Sequence, residues 1–144
     1  MSVGSFRFLE DVALADCALE VEGDDVNDLF ETAARALAAV MVDPETVPRA
    51  RTREVRLEAS ALDLLLYDWL SELIFLKDRD ETLFVDARVT VGGDGPFTLA
   101  AEARGDVIDR VHMALRADAK AVTFYRFSLE RADVGWSARV VIDI

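Results

Sequence analysis

The chain has 144 residues, of which 52% are hydrophobic, and its 16 basic and 28 acidic side chains give a net charge of -12. This size and hydrophobic content predict a single folded domain over residues 1–144 and exclude a disordered chain. The negative charge opposes autonomous binding to nucleic-acid phosphates and suits a basic protein partner. Cys17 is the only cysteine, which excludes an internal disulfide, and with only one histidine a zinc site is disfavoured.

The sequence also predicts where the protein works. No window carries about 20 uninterrupted apolar residues, so we expect no membrane span. The first residues lack the basic and apolar regions of a secretory signal. Together with the lone cysteine, these features predict a cytoplasmic protein.

Two short strands and a helix are predicted at the start of the chain. Alternating polar and apolar residues predict strands over residues 6–10 and 17–22, with a loop that ends at Asp16 between them. Apolar residues then recur at helical spacing to about Met41, with Asp24 or Asp25 as the N-cap. Asp43-Pro44 ends this helix, because the residue before a proline disfavours helical conformation.

The second predicted helix is the most hydrophobic segment, and we expect it to lie in the core. It follows a strand over residues 53–58, with Ser60 as its expected N-cap and Asp63 at the capping-box position. One face of the helix carries five large apolar side chains that should be buried: Leu65, Leu66, Trp69, Leu70 and Leu73.

The remaining strands follow the helices and set the fold class. They are predicted over residues 82–91, 96–104, 120–129 and 136–144. Gly92-Gly93-Asp94-Gly95 is the turn of a hairpin, and residues 105–118 are a polar-flanked connection. The order β-β-α-β-α-β-β-β-β predicts an α+β fold, with two helices packed on a mixed, mostly antiparallel sheet.

No motif of a known catalytic centre is present. The Gly-rich turn joins two strands and lacks the helix N-terminus that a phosphate site needs. His112 has no Ser or Cys partner in the sequence, so we interpret it as a structural loop residue. Cys17 lies in a predicted strand and is expected to pack as a small apolar residue.

Carboxylates at the two ends of the chain are the candidates for a binding site. Asp143 adjoins the α-carboxylate of Ile144, and Asp16 is a second acid in an otherwise apolar stretch. Taken singly, each is a solvated tail or a loop acid, and Lys120 is an edge-strand lysine. If the sheet brings them together, the like charges need a cation, either Lys or Arg or a divalent ion such as Ca²⁺ or Mg²⁺.

Several segments, in order and spacing, resemble the archease family of small proteins that assist the RtcB-type tRNA-splicing RNA ligase. The resemblance extends from Phe6 to Ile144. It rests on Phe8-Leu9-Glu10 with Ala15-Asp16, Gly23 and its helix, Met41-Val42-Asp43-Pro44, the helix from Leu62 to Leu73, the loop from Gly105 to His112, Lys120-Ala121-Val122-Thr123 and Val141-Ile142-Asp143-Ile144.

The resemblance implies a divalent-metal site at Asp16, Asp143 and Ile144, with Lys120 as a functional neighbour. It also implies a protein cofactor, not an enzyme, which promotes guanylylation of the ligase's histidine from GTP and keeps the ligase turning over. The chain departs from the family where a His-Thr-Ala-Asp start is usual. Residues 11–16 replace it, and Asp11 is the candidate polar group in place of the missing histidine.

Two other functions are compatible with the same residues. A small metal-dependent hydrolase would use Asp16 and Asp143 around a water molecule, although no dedicated general base stands near them in the sequence. A chaperone-like modulator of another RNA-modifying enzyme would use the same acidic surface. The oligomeric state is left open by the sequence.

Overall fold

The computed structural model describes residues 4–9 and 16–144. Its elements in chain order are β1 (Ser5–Leu9), β2 (Asp16–Gly23), α1 (Val26–Met41), a 3-10 turn (Pro44–Thr46), β3 (Arg51–Ala59), α2 (Leu62–Asp80), β4 (Thr82–Gly93), β5 (Phe97–Val107), β6 (Ala121–Arg131) and β7 (Trp136–Asp143). The predicted order of strands and helices is confirmed, and so is the α+β class. Asp11, predicted as a polar neighbour of the site, lies outside the described residues.

The strands form two antiparallel sheets, where the sequence analysis expected one. The first has the order β1-β2-β7-β6 and the second β3-β5-β4. Helix α1 covers the edge of β4. Oδ1 of Asn27 accepts a hydrogen bond from the backbone N–H of Val91 at 2.8 Å, and the Glu31 carboxylate accepts one from the backbone N–H of Val89 at 2.8 Å. Side chains of a helix thus bond edge groups that a further strand would otherwise pair.

Two aspartates fix the start of α1. Asp25 is the N-cap, and its Oδ1 accepts from the backbone N–H of Asp28 at 2.7 Å. Asp28 is itself buried and accepts from the backbone N–H of Gly4 at 3.0 Å and of Asp24 at 2.9 Å. The helix start is therefore tied to the chain that leads into β1.

Helix α2 is the centre of the core, as predicted. All five of the side chains expected to be buried are at most 4% exposed, and the indole N–H of Trp69 donates to the carbonyl of Phe30 on α1 at 3.0 Å. The predicted cap is wrong. The helix begins at Leu62, and Ala61 occupies the N-cap position without a side-chain hydrogen bond. A missing cap costs about 0.5–2 kcal/mol, which the burial of two leucines at about 1.5–3 kcal/mol each offsets.

The core combines buried side chains of both helices with those on the inner faces of both sheets. Strand β5 extends past its predicted end at residue 104 to Val107, so the connection begins at Ile108. Gly105 permits this extension, because a Cβ there would lie 1.8 Å from the carbonyl oxygen of Leu83 on β4. Within the described ranges, no helix is both long and apolar enough to cross a membrane.

Candidate functional site

The two acids singled out from the sequence lie opposite each other. In the antiparallel ladder between β2 and β7, Asp16 pairs with Asp143. Residues directly opposite in such a ladder point to the same face of the sheet, with Cβ atoms about 4.5–5.5 Å apart. The two carboxylates therefore belong to one face at one end of the first sheet, and Ile144 follows directly, partly buried against the core.

Lys120 is joined to the same end of the sheet through its backbone. Its N–H donates to the carbonyl oxygen of Asp143 at 2.7 Å, and the next residue, Ala121, pairs with Asp143 in the ladder between β6 and β7. Lys120 is exposed and stands just before β6, an edge strand of the sheet. The structure thus brings Asp16, Asp143 and Lys120 together, although they are far apart in sequence.

The residues next to the two acids on this face of the sheet are buried. Ala18 and Val141 are their nearest neighbours on that face, and each is only 1% exposed. Thr123, which pairs with Val141 from β6, has a buried hydroxyl oxygen with no hydrogen-bond partner within residues 4–9 and 16–144. This face therefore carries oxygen atoms that could coordinate a metal, from two half-buried carboxylates and a buried hydroxyl group. They lie beside buried apolar side chains.

Oxygen donors of this kind fit a hard divalent cation. Carboxylate, carbonyl and hydroxyl oxygens suit Ca²⁺ or Mg²⁺, and the absence of imidazole or thiolate among them disfavours zinc. Over the described part of the chain, no three side chains of His, Cys, Asp or Glu group closely enough to hold a metal on their own. A site here would therefore depend on Asp16, Asp143 and the Ile144 carboxylate, and its metal remains a prediction.

A buried lysine that was not predicted as a functional residue supports this end of the sheet. The Lys77 side chain is 6% exposed, and its Nζ donates to the carbonyl of Ala119 at 2.7 Å. It also bonds the carboxylates of Asp118 and Asp78. Burial lowers the pKa of Lys77, but its bonds to these two aspartates raise it more, so the net pKa is raised and Lys77 is charged at neutral pH.

The contacts of Lys77 fix the chain just before Lys120. They anchor Ala119 to α2, and Lys120 in turn bonds Asp143. The sequence signal was available, since Lys77 follows Leu70 by seven and Leu73 by four positions on the apolar face of the helix. A lysine at such a position is buried only when it finds bonding partners.

His112 forms a local contact with Asp109. Its Nδ1 lies 2.7 Å from Oδ2 of Asp109, whose other oxygen accepts from the backbone N–H groups of Val111 and His112. The hydrogen bond from His112, aided by that from Val111, lowers the pKa of Asp109. Asp109 thus caps the turn, and the exposed ring of His112 contacts the capping carboxylate, in agreement with the interpretation of His112 as a structural residue.

Replacing His112 with alanine should raise the pKa of Asp109 toward the ordinary aspartate range. The substitution removes the largest cause of the lowered value and leaves the bond from Val111 in place. An NMR titration of the Asp109 carboxyl carbon in the parent and in His112→Ala measures the change. An identical Asp109 titration in both proteins would contradict the contact, and the carboxyl of Asp94 is an unrelated reference within each sample.

The other two candidates for chemistry have structural roles. Cys17 packs partly buried against the core, and burial raises the pKa of its thiol, which disfavours the reactive thiolate. The predicted hairpin between β4 and β5 is present, but its turn is shifted: Gly92 and Gly93 still belong to β4 and pair with Thr98 and Phe97, and residues 94–96 make the connection. Neither contributes a functional group to the Asp16–Asp143 face.

Known proteins resemble this chain along nearly its whole length. The model of the archease protein family (MTH1598/TM1083) matches residues 6–144. The protein named archease from Methanosarcina mazei is 36% identical over 96% of this chain and 95% of its own, and that from Methanosarcina barkeri is 33% identical over 90% of each. The solution structure of Methanobacterium thermoautotrophicum protein 1598 superposes with a TM-score of 0.80 at 32% identity, covering 96% of this chain and 98% of that one.

Proposed function

The chain belongs to the archease family, and from that premise we propose that it is a protein cofactor of an RtcB-type RNA ligase. In this role it promotes guanylylation of the ligase's histidine from GTP and sustains multiple turnover, in tRNA splicing or RNA repair. It acts in the cytoplasm and is not itself an enzyme. Asp16, Asp143 and the Ile144 carboxylate hold a divalent cation, and Lys120 acts beside them.

The observation that carries this proposal is the pairing of Asp16 with Asp143. Two like-charged side chains directly opposite each other in a ladder repel and lower the stability of the fold, so this pairing is not explained by stability alone. Lys120 is placed next to them by its bond to the Asp143 carbonyl. The residues that the family resemblance implies thus meet at one end of one sheet.

The residues of this chain have separable roles in the proposed site. Asp16 and Asp143 supply oxygen ligands. The negative electrostatic potential between the two carboxylates favours a divalent cation such as Ca²⁺ or Mg²⁺. When bound, such an ion supplies positive charge that neutralises the acids and organises the oxygens around it. Lys120 presents an exposed ammonium toward a partner's acidic or phosphate group, while Lys77 keeps the segment before it in position.

The isolated protein should not bind tRNA appreciably. Its net charge of -12 repels phosphates, and nucleic-acid affinity derives largely from neutralising them with basic side chains. Gel-shift or fluorescence-anisotropy titration of labelled tRNA at low salt measures this, with the ligase alone as the positive control. Tight tRNA binding that weakens steeply as salt rises would contradict the proposal that the partner is a protein.

Guanylylation tests the proposed activity at its first step. The ligase from the same cell is incubated with GTP and divalent metal, with or without this protein, and the covalent ligase–GMP adduct is quantified by intact-protein mass spectrometry. We expect the adduct to form faster and to a greater extent with the protein present. Heat-denatured protein at the same concentration is the control, and equal adduct formation with native protein would contradict the proposal.

A further inference from the structure

The outward side of α2 is unusually apolar for a surface helix. This surface, the α2 face, comprises Leu64, Tyr67, Ser71 and Phe75, with Asp63, Asp68, Glu72 and Asp78 at its borders. Phe75 is 51% exposed and Leu64 is 37% exposed. The other side of the same helix is buried in the core, and Tyr67 packs partly against it, whereas Leu64 and Phe75 remain exposed. Exposed aromatic and aliphatic side chains rimmed by polar residues are typical of protein–protein contact sites.

The apolar surface continues from α2 onto the edge strand β6. The ring of Phe124 stacks on that of Tyr67, with centroids 4.1 Å apart and an angle of 9° between the planes. Phe127 lies edge-on to both rings, at centroid distances of 6.0 and 5.9 Å. Phe124 nevertheless remains 58% exposed, so the aromatic cluster presents this ring to solvent.

The charges around the α2 face indicate what kind of partner it fits. Asp63, Asp68 and Glu72 form no ion pair with any residue in the described ranges, whereas Asp78 bonds Lys77. The one arginine at this surface, Arg79, is paired with Asp80 and lies with its guanidinium 5.2 Å from the Phe75 ring centroid. The face therefore offers unpaired negative charge beside aromatic rings, which suits arginine and lysine side chains.

The α2 face also adjoins the carboxylate end of the first sheet. A groove of about 240 Å³ runs between α2 and the start of β6, and Tyr67, Phe75, Asp78 and Lys120 are among the residues that line it. The backbone N–H of Lys120 donates to the carbonyl of Asp143, so the groove adjoins the last residues of β7 through the main chain.

We infer that the α2 face is the surface on which this protein docks a basic protein partner, by burying an apolar or guanidinium side chain against Tyr67, Phe75 and Phe124. The inference rests on the proposed function, and the partner is then a basic patch on the surface of the RNA ligase. The borders of the face supply electrostatic attraction, and its aromatic centre supplies the contacts that hold the complex.

The test measures binding of the purified ligase to the parent protein and to surface variants by biolayer interferometry. Phe75→Ala and Glu72→Arg should each weaken the affinity at least about tenfold, as expected for central contacts and reversed charges. The matched controls are Phe8→Ala on β1, where Phe8 is 48% exposed, and Glu58→Arg on the outer surface of β3. Both controls should bind within about twofold of the parent, because they lie on other surfaces.

Salt dependence and self-association complete the test. The parent complex should weaken as salt rises, and Glu72→Arg should reduce that dependence. Unchanged affinity of Phe75→Ala and Glu72→Arg, while the parent still stimulates the ligase, would overturn the docking surface but leave the proposed function standing. A parent that neither binds nor stimulates the ligase would overturn both. Sedimentation showing that Phe75→Ala only converts a dimer to a monomer would assign the face to a second copy of the chain and overturn the inference.

Discussion

Replacing Trp69 with alanine should lower the free energy of unfolding by about 3–5 kcal/mol. The indole is fully buried at the centre of α2, and its N–H donates to the carbonyl of Phe30 at 3.0 Å. The substitution removes the buried ring, leaves a cavity between the helices and removes the hydrogen bond that joins α2 to the Phe30 carbonyl of α1. Urea denaturation followed by far-ultraviolet circular dichroism measures the loss.

Phe75→Ala is the matched control on the same helix. Its side chain is 51% exposed, and its loss should change stability by at most about 0.5 kcal/mol. Equal stability of Trp69→Ala and the parent would show that α2 does not form the core. A similar loss in Phe75→Ala would instead show that the outward face of α2 is covered in solution.

The elements of this fold could be predicted where local spacing decides them. The apolar period of α2 placed five side chains in the core, and alternating residues gave the strands in the right order. The start of α2 was predicted wrongly at Ser60 because capping residues contribute less than the burial that sets the helix register. The division into two sheets was not predicted, because it depends on contacts between residues that are far apart in sequence. The contacts of Asn27 and Glu31 on α1 with β4, about 60 residues further along the chain, are an example.

The candidate site depended on pairing that the sequence does not encode locally. Asp16 and Asp143 meet only because β2 and β7 pair in one particular register, and a shift by one residue would place them on opposite faces. The residue pattern singled out both acids, the family resemblance implied their role as metal ligands, and the ladder supplied the geometry. The burial of Lys77 could not be predicted from the helix alone, because its partners Asp118 and Ala119 lie about 40 residues further along the chain.

Loss of the carboxylates or of Lys120 should abolish most of the ligase stimulation while leaving the fold intact. Asp16→Ala, Asp143→Ala and Lys120→Ala should each reduce multiple-turnover ligation at least about tenfold, as expected when a ligand or a charge at a binding site is removed. Without metal, Asp143→Ala should be as stable as the parent or slightly more so, because it relieves repulsion with Asp16.

Stabilisation by added metal distinguishes loss of the site from a general loss of stability. At a concentration a hundred times its dissociation constant, a bound ion adds about 2.7 kcal/mol to the stability of the parent. Asp143→Ala and Asp16→Ala should lose this gain, measured as the shift in unfolding temperature on adding Ca²⁺ or Mg²⁺. The matched control is Asp133→Ala, in the turn at the opposite end of β6 and β7. Full metal stabilisation and full ligase stimulation in all three site variants would remove the site from the mechanism.

The most direct test of the account is multiple-turnover ligation by the purified ligase, with RNA in excess, in the presence and absence of this protein. We expect the ligase alone to stall early, and the parent protein with GTP and divalent metal to drive product well beyond the molar amount of ligase. Identical product curves with and without the parent would contradict the proposed function, and a chaperone-like role toward another RNA-modifying enzyme would then be the leading explanation.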